Sequence, residues 1–104
     1  MSDVVYTINQ LKEKLIPIFI DNSIKKAVLF GSYGKGNATK ESDIDLLVDS
    51  GLKGLCFVGF MEDIRAAVDK DVDIFDITHV EKGSKIDLEI QKTGVLMYEN
   101  KSVR

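Results

Sequence analysis

Hydrophobic residues recur at helical spacing near the start of the chain. From Thr7 to about Phe19 they fall three or four positions apart, and Thr7 with Gln10 forms a candidate capping box. Pro17 lacks a backbone donor and clashes with the turn before it. The pattern therefore predicts a first helix that either kinks between residues 13 and 17 or ends just before the proline.

Two further segments have helical patterns. In the first, apolar residues stand at offsets 0, 3, 4, 7 and 11, namely Phe57, Phe60, Met61, Ile64 and Val68. In the second, Ser84 and Asp87 can cap a helix with Ile86 and Ile90 on its inner side, and Gly94 would end it. Both segments are predicted to be helices.

Short apolar or alternating segments between these helices predict the strands. The run at 27–30 is continuously apolar, 43–48 begins with alternating polar and apolar residues, and 72–77 and 95–98 resemble them. The resulting order is α-β-β-α-β-α-β. This order predicts an α/β fold in which helices pack on a mixed sheet.

Length and composition limit the function classes. The chain has 104 residues, 44% of them hydrophobic, and a net charge of −3 from 14 basic and 17 acidic residues. We expect a single domain over residues 1–104 with a polar tail from about 99 to 104, which excludes a multidomain enzyme. A domain of this size has room for an open cleft and not for a deep internal cavity.

The charge and the single cysteine add further expectations. A mildly acidic chain does not favour direct binding of nucleic acid, which usually needs a basic patch. Cys56 can form no disulfide within the chain and is predicted to be a small core residue. No targeting signal and no apolar run near the roughly 20 residues of a membrane span is visible, so we expect a cytoplasmic protein without a membrane partner.

The loop at residues 31–42 is rich in glycine but fits neither of two common phosphate motifs. Asn37-Ala38 stands where a Walker A motif needs Lys-Ser/Thr, and the loop is too short for the crossover helix of a Rossmann unit. What remains is Gly31-Ser32 directly after a strand, where backbone can approach a ligand closely and where a short helical turn could direct its amides at a phosphate. Alone, this feature is typical of a simple turn.

A pair of acids follows this loop. Asp43 and Asp45 are two residues apart in a predicted strand, so both side chains should project from one face, about 6.6 to 7 Å apart. Carboxylates that approach within ~4 Å repel by about 4 kcal/mol, so a protein keeps them together chiefly around a metal or a proton. Oxygen ligands without His or Cys favour Mg²⁺ or Mn²⁺ over zinc.

Asp73 is the candidate third metal ligand. It lies between two branched apolar residues in the next predicted strand, as Asp45 does between Ile44 and Leu46. Taken by itself, it is better interpreted as a surface acid on an edge strand, and only its combination with the other two acids favours a metal ligand. Asp71 and Asp76 are predicted to be solvated.

These residues together resemble a known signature. Gly31-Ser32, ten intervening residues and Asp43-Ile44-Asp45 match the Gly-Ser-x10-Asp-x-Asp pattern of DNA polymerase beta-like nucleotidyltransferases. In size and motif the chain is similar to the minimal nucleotidyltransferase (MNT) family. The resemblance spans roughly residues 25 to 78.

The resemblance implies a nucleotidyltransferase fold and assigns roles within it. Asp43 and Asp45 would ligate the catalytic Mg²⁺ pair, and Asp73 would position or deprotonate the attacking hydroxyl. Gly31 and Ser32 would hold the triphosphate. Lys35 stands where the family commonly has arginine, so it keeps the positive charge without the bidentate fork.

The resemblance also implies a partner. MNT proteins typically pair with a HEPN-domain ribonuclease toxin, and the implied reaction transfers AMP from ATP to a tyrosine of that toxin, so that the chain would act as an antitoxin. One alternative is a catalytically idle module that neutralises the toxin by binding alone. Transfer to a small molecule such as an aminoglycoside would need an added substrate domain. Nucleotide preference and oligomeric state stay open.

Overall fold

The computed structural model describes residues 5–101, which form one mixed four-stranded sheet with helices packed on it. The α-helices are α1 (Ile8–Asp21), α2 (Gly31–Lys35), α3 (Leu55–Ala67) and α4 (Lys85–Thr93), and a short 3-10 helix covers Ile77–His79. The strands are β1 (Lys26–Phe30), β2 (Ile44–Asp49), β3 (Val72–Asp76) and β4 (Val95–Glu99). The predicted fold class is confirmed. Residues 102–104 of the predicted tail lie outside the described residues, whereas Glu99 belongs to β4.

The strand order β3-β2-β1-β4 puts the acidic strands side by side. Strand β1 runs antiparallel to both β2 and β4, whereas β2 and β3 are parallel and α3 connects them. In this register Asp45 is the direct neighbour of Asp73 on one side and of Phe30 on the other. The two aspartates therefore share one face of the sheet.

The opposite face of the sheet forms the core. In β2 the three apolar residues at positions 44, 46 and 48 are fully buried, while Asp45, Leu47 and Asp49 between them are half-buried. Helix α1 contributes Leu11, Leu15 and Phe19 to this core, and α3 contributes Phe60 and Ile64. The alternation expected from the sequence is confirmed, and it leaves the acidic face free of the main core.

Helix α1 begins as predicted and ends later than predicted. The Gln10 amide donates to the Thr7 hydroxyl at 3.0 Å, and the Thr7 amide donates to the Gln10 side chain at 2.8 Å, which completes the capping box. The helix continues through Pro17 to Asp21, so an end before the proline is wrong. Pro17 is exposed between the fully buried Leu15 and Phe19, whose packing outweighs one lost backbone hydrogen bond.

Replacing this proline should stabilise the protein. Pro17→Ala restores an amide donor in the interior of α1 and removes the ring clash, which together cost about 3 kcal/mol in an ideal helix. The greater freedom of the unfolded alanine chain offsets part of the gain, so we expect about 1–2 kcal/mol in urea unfolding. Glu13→Ala, at an exposed position of the same helix, is the control and should change stability by less than about 0.5 kcal/mol. Unchanged or reduced stability of Pro17→Ala would contradict this account.

Helix α4 follows its predicted signals. The Ser84 hydroxyl accepts from the Asp87 amide at 3.2 Å, and Gly94 is the C-cap, with its amide bonded to the Ile90 carbonyl. The Gly94 main chain packs on Val28 of β1, where an added Cβ would lie 3.0 Å from a Val28 methyl carbon. Among the helices of residues 5–101, none combines the length and apolar character needed to cross a membrane.

Candidate active site

The sheet brings two of the three predicted acids together and places the third beside them. Asp45 and Asp73 are register partners on β2 and β3, and Asp45 is half-buried while Asp73 is exposed. Asp43 is exposed and lies one residue before β2 begins, so it belongs to the preceding loop and not to the strand. All three carboxylates belong to the same end of the parallel β2–β3 pair.

The electrostatics of Asp45 show that negative charges converge here. Burial, together with the smaller effects of the charges of Asp73, Asp43 and Glu89, raises the pKa of this carboxyl from 3.8 to about 6. A carboxylate at this position is therefore costly without a compensating cation or proton. Such perturbed acids are concentrated at functional sites.

Gly31 closes one side of the Asp45 carboxylate. It has φ +73°, a left-handed conformation that glycine adopts without strain, and it leads directly from β1 into α2. A Cβ at this position would lie 2.5 Å from Asp45 Oδ2. The sequence predicted that backbone could come close to a ligand at this glycine, and the structure shows the main chain directly against a predicted metal ligand.

The other two predicted phosphate contacts flank this glycine on α2. Ser32 is half-buried in the first turn, where a helix leaves its amides without internal acceptors. Lys35 is exposed at the other end of this five-residue helix, and Gly36 ends it in the left-handed conformation. The sequence indicated a glycine-rich loop in which a short helical turn could form, and the structure has a helix of five residues here.

The residues present fit a divalent cation by their chemistry. Among residues 5–101, no three Asp, Glu, His or Cys side chains already stand as a metal-binding group. The acids around Asp45 nevertheless supply only oxygen donors, carry like charges and include one desolvated carboxylate, which is the donor set of a hard cation such as Mg²⁺. Binding would require these carboxylates to draw together around the ion.

Two residues of α4 belong to this site and were missed by the sequence reasoning. The Thr93 hydroxyl accepts a buried hydrogen bond of 2.8 Å from the Gly31 amide, and Glu89, one turn earlier, adds its charge to those acting on Asp45. Neither residue is part of a motif. Their only sequence signal is the spacing of four that puts both on one face of a helix ending at Gly94.

Two expectations about other residues are wrong. Asp76 is buried and accepts hydrogen bonds from the amides and hydroxyls of Ser50 and Thr78, with distances of 2.5 to 3.1 Å. Burial by itself would raise the pKa of Asp76, but these hydrogen bonds more than offset it and lower the pKa. Cys56 is exposed because it lies in the first turn of α3, away from the buried face of that helix. Asp71 is exposed, as predicted.

Comparison with known proteins gives matches along most of the chain. The family model described as polymerase beta, nucleotidyltransferase, matches residues 13–103. A candidate protein adenylyltransferase of Methanocaldococcus jannaschii, MJ0435, is 36% identical over 69 residues, which cover 64% of this chain and 74% of that protein.

Solved structures of low sequence identity have the same fold. One, a toxin-antitoxin with AMP-PNP, superposes with a TM-score of 0.71 at 24% identity, covering 86% of this chain and 74% of that chain. Another, from the complex of the tri-AMPylated Shewanella oneidensis HEPN toxin with its MNT antitoxin, gives 0.67 at 22% identity, covering 89% and 73%. Together with the site geometry, the family model establishes that this chain belongs to the polymerase beta nucleotidyltransferase family.

Proposed function

We propose that this chain is a metal-dependent protein adenylyltransferase that transfers AMP from ATP to a tyrosine of a partner HEPN toxin and thereby acts as its antitoxin. The observation that carries the proposal is the half-buried Asp45 carboxylate, which lies between the Gly31 main chain and the neighbouring Asp73. A charge cluster of this kind costs stability, and such clusters are concentrated at functional sites. In the family to which this chain belongs, the function is nucleotidyl transfer.

The acids are the metal ligands in this proposal. Asp43, Asp45 and Asp73 would hold Mg²⁺ or Mn²⁺, which when bound polarises the α-phosphate and neutralises charge on the departing pyrophosphate. The net charge of −3 makes the requirement for a cation stronger, because the nucleotide is itself an anion. Metal-free binding of ATP should therefore be weak.

The remaining groups orient the nucleotide. The Gly31 amide is already bonded to Thr93, so the donors left in this turn are the amide and hydroxyl of Ser32. These groups bind phosphate oxygens, and the Lys35 ammonium adds a positive charge from the far end of α2. Because Gly31 has no Cβ, the triphosphate can come close to Asp45 past this residue.

The transfer itself is a substitution at the α-phosphorus. The acceptor oxygen forms a bond to this atom while the bond to the bridging oxygen of the β-phosphate breaks, and pyrophosphate leaves. Asp73 accepts the hydroxyl proton. Its exposure on β3, an edge strand of the sheet, leaves the hydroxyl acceptor free to belong to a second macromolecule.

The comparisons support a HEPN toxin as the partner that carries the acceptor hydroxyl, and the resemblance to the MNT family implies that this hydroxyl belongs to a tyrosine. One structural neighbour comes from a complex in which the HEPN toxin is tri-AMPylated, and another was solved with AMP-PNP. This chain shares the fold with those antitoxin chains and shares sequence with a candidate protein adenylyltransferase. A cytoplasmic location suits the proposal, because the exposed thiol of Cys56 has no disulfide partner.

The direct test uses the protein encoded next to this chain as the acceptor. With ATP and Mg²⁺, wild-type protein should add adenylyl groups to a tyrosine of that partner, detected by mass spectrometry, and chelation of the metal should stop the reaction. Asp43→Ala should abolish the transfer, whereas Asp63→Ala, at an exposed acid of α3, should keep it. Label retained in both Asp43→Ala and Asp45→Ala would refute the assignment.

A second measurement distinguishes the enzyme from a catalytically idle module that neutralises the toxin by binding alone. If Asp43→Ala still protects cells from the toxin and forms a complex of unchanged affinity, neutralisation occurs by binding alone. If protection and transfer are lost together while the complex still forms, the enzymatic account stands.

A further inference from the structure

The last turn of α4 makes a buried contact with the Gly-Ser turn that no phosphate or metal role explains. The Gly31 amide donates to Thr93 Oγ1 at 2.8 Å, across 62 residues of sequence, and both groups are buried. The Thr93 hydroxyl in turn donates to the Glu89 carbonyl at 2.8 Å. The hydroxyl hydrogen of Thr93 is therefore already used within α4, and a lone pair of the hydroxyl oxygen accepts the hydrogen bond from Gly31.

A second contact joins α4 to the segment that begins with the Gly-Ser turn. A Cβ added at Gly34 in α2 would overlap the Thr93 carbonyl oxygen and lie 3.1 Å from the Leu29 carbonyl oxygen. The end of α4 therefore meets α2 at both Gly31 and Gly34. Because Gly94 at the end of α4 also packs on β1, the helix end has little freedom to shift.

The contacts of Thr93 with Gly31 and Gly34 affect the proposed reaction through Asp45. The Gly31 main chain is held in the left-handed conformation by the Thr93 hydroxyl, and that main chain is what the Asp45 carboxylate lies against. Without an acceptor, the buried amide would turn toward water, because an unpaired buried donor is costly. The Gly-Ser turn would then leave the conformation that faces Asp45.

We propose that Thr93 is a positioning residue of this nucleotidyltransferase, whose hydroxyl holds the Gly31 main chain beside Asp45 in the form that accepts the metal–nucleotide substrate. The proposal rests on the proposed function, since it assumes that ATP and Mg²⁺ bind at this turn. Thr93 itself contacts neither phosphate nor metal. It acts by keeping the competent conformation populated, and apparent affinity falls by the same factor as that population.

Thr93→Val is the decisive variant because it keeps the shape of the side chain and removes only the hydroxyl. We expect the dissociation constant for ATP with Mg²⁺ to rise about tenfold, measured by titration calorimetry. Thr93→Ser keeps the hydroxyl and should restore affinity to within about threefold of wild type. The Gly31 amide should also exchange with deuterium faster in Thr93→Val than in wild type.

Ser50→Ala is the matched control. It too removes a buried hydroxyl that ties two elements together, here the Ser50 contact with Asp76 at the opposite end of β2. We expect it to lower the melting temperature and leave the affinity for ATP with Mg²⁺ unchanged. Thr93→Val with lowered melting temperature but wild-type affinity would overturn the proposal, because Thr93 would then be structural only.

Two outcomes separate this inference from the function on which it rests. Wild-type protein that binds no ATP with Mg²⁺ would overturn the proposed function and this inference with it, whereas wild-type binding with unchanged Thr93→Val affinity overturns the inference alone. If Thr93→Val does not fold, the positioning role of Thr93 can still be tested on the wild-type protein. By reciprocal linkage, ATP with Mg²⁺ should slow exchange of the Gly31 amide, and unchanged exchange at saturation would overturn the proposal.

Discussion

Asp45→Asn is expected to abolish adenylyl transfer and at the same time to make the metal-free protein more stable. Loss of this carboxylate removes a proposed metal ligand at the centre of the acid cluster, and a fall in rate of at least about 10³-fold corresponds to several kcal/mol of transition-state stabilisation. The same change removes the half-buried charge that burial and three neighbouring acids make costly. Activity and stability should therefore move in opposite directions.

The pH dependence gives the sign of the stability effect. The pKa of Asp45 is 3.8 in the unfolded reference and about 6 in the folded protein, so the folded state holds a proton more tightly. The stabilisation that this proton provides is fully present below pH 3.8 and is lost as pH rises through about 6. At pH 7 we expect Asp45→Asn to gain about 1 kcal/mol, less than full linkage gives because the carboxylate is partly exposed.

Thermal unfolding in the presence of a chelator checks this prediction. A gain of about 1 kcal/mol should raise the melting temperature by roughly 4–8 °C at pH 7, and the gain should shrink towards pH 4. Asp63→Asn, at an exposed acid of α3 away from the cluster, is the control and should show neither effect. Equal or lower stability of Asp45→Asn at pH 7 would mean that burial and the neighbouring acids do not make the Asp45 charge costly in the folded protein.

Gly31→Ala is expected to reduce the transfer rate about 10²-fold through a displaced carboxylate. The new Cβ would lie 2.5 Å from Asp45 Oδ2, and the Asp45 side chain is the part that can move, so it should swing away from Asp73. A shift of about 1 Å in a reacting group can cost about 10²-fold in rate. The left-handed conformation, with φ +73°, adds about 1–2 kcal/mol of backbone strain.

Gly51→Ala is the control that separates backbone strain from displacement of the Asp45 carboxylate. Gly51 also has a positive φ, +69°, but no atom lies within 4 Å of its added Cβ, and it follows the far end of β2, about 20 Å from Asp45. Both variants should lose similar stability in urea unfolding, and only Gly31→Ala should lose activity. A comparable loss of rate in Gly51→Ala would show that backbone strain, and not the contact with Asp45, limits the enzyme.

Local sequence signals predict most of the framework because they act over a few residues. The Thr7–Gln10 box, the Ser84 cap and the Gly94 end were visible as side-chain types at fixed spacing, and the alternation in β2 showed which residues face the core. Pro17 illustrates the limit of local rules. Whether a helix continues through a proline depends on the packing of its neighbours, which the local sequence does not show.

The site could be predicted only as far as its motif extended. The grouping of Asp45 with Asp73 followed from strand assignment, whereas Thr93 and Glu89 come from a helix that reaches the site only through tertiary packing. Asp76 was misjudged partly for the same reason, because its partner Ser50 meets it only after β2 and β3 have paired. Its other partner, Thr78, is two residues away in the 3-10 helix that Asp76 caps, which is a local signal that the sequence reasoning missed.

The parallel register between β2 and β3 has a consequence for how this sequence can vary in length. Side chains alternate along a strand, so a single residue inserted or deleted within β3 ahead of Asp73 would turn this acid to the opposite side of the sheet. The same change in the turn after β2 would be absorbed by the connection to α3. The loops of this fold can therefore differ in length, whereas Asp73 has to stay directly after Val72 if it is to remain beside Asp45.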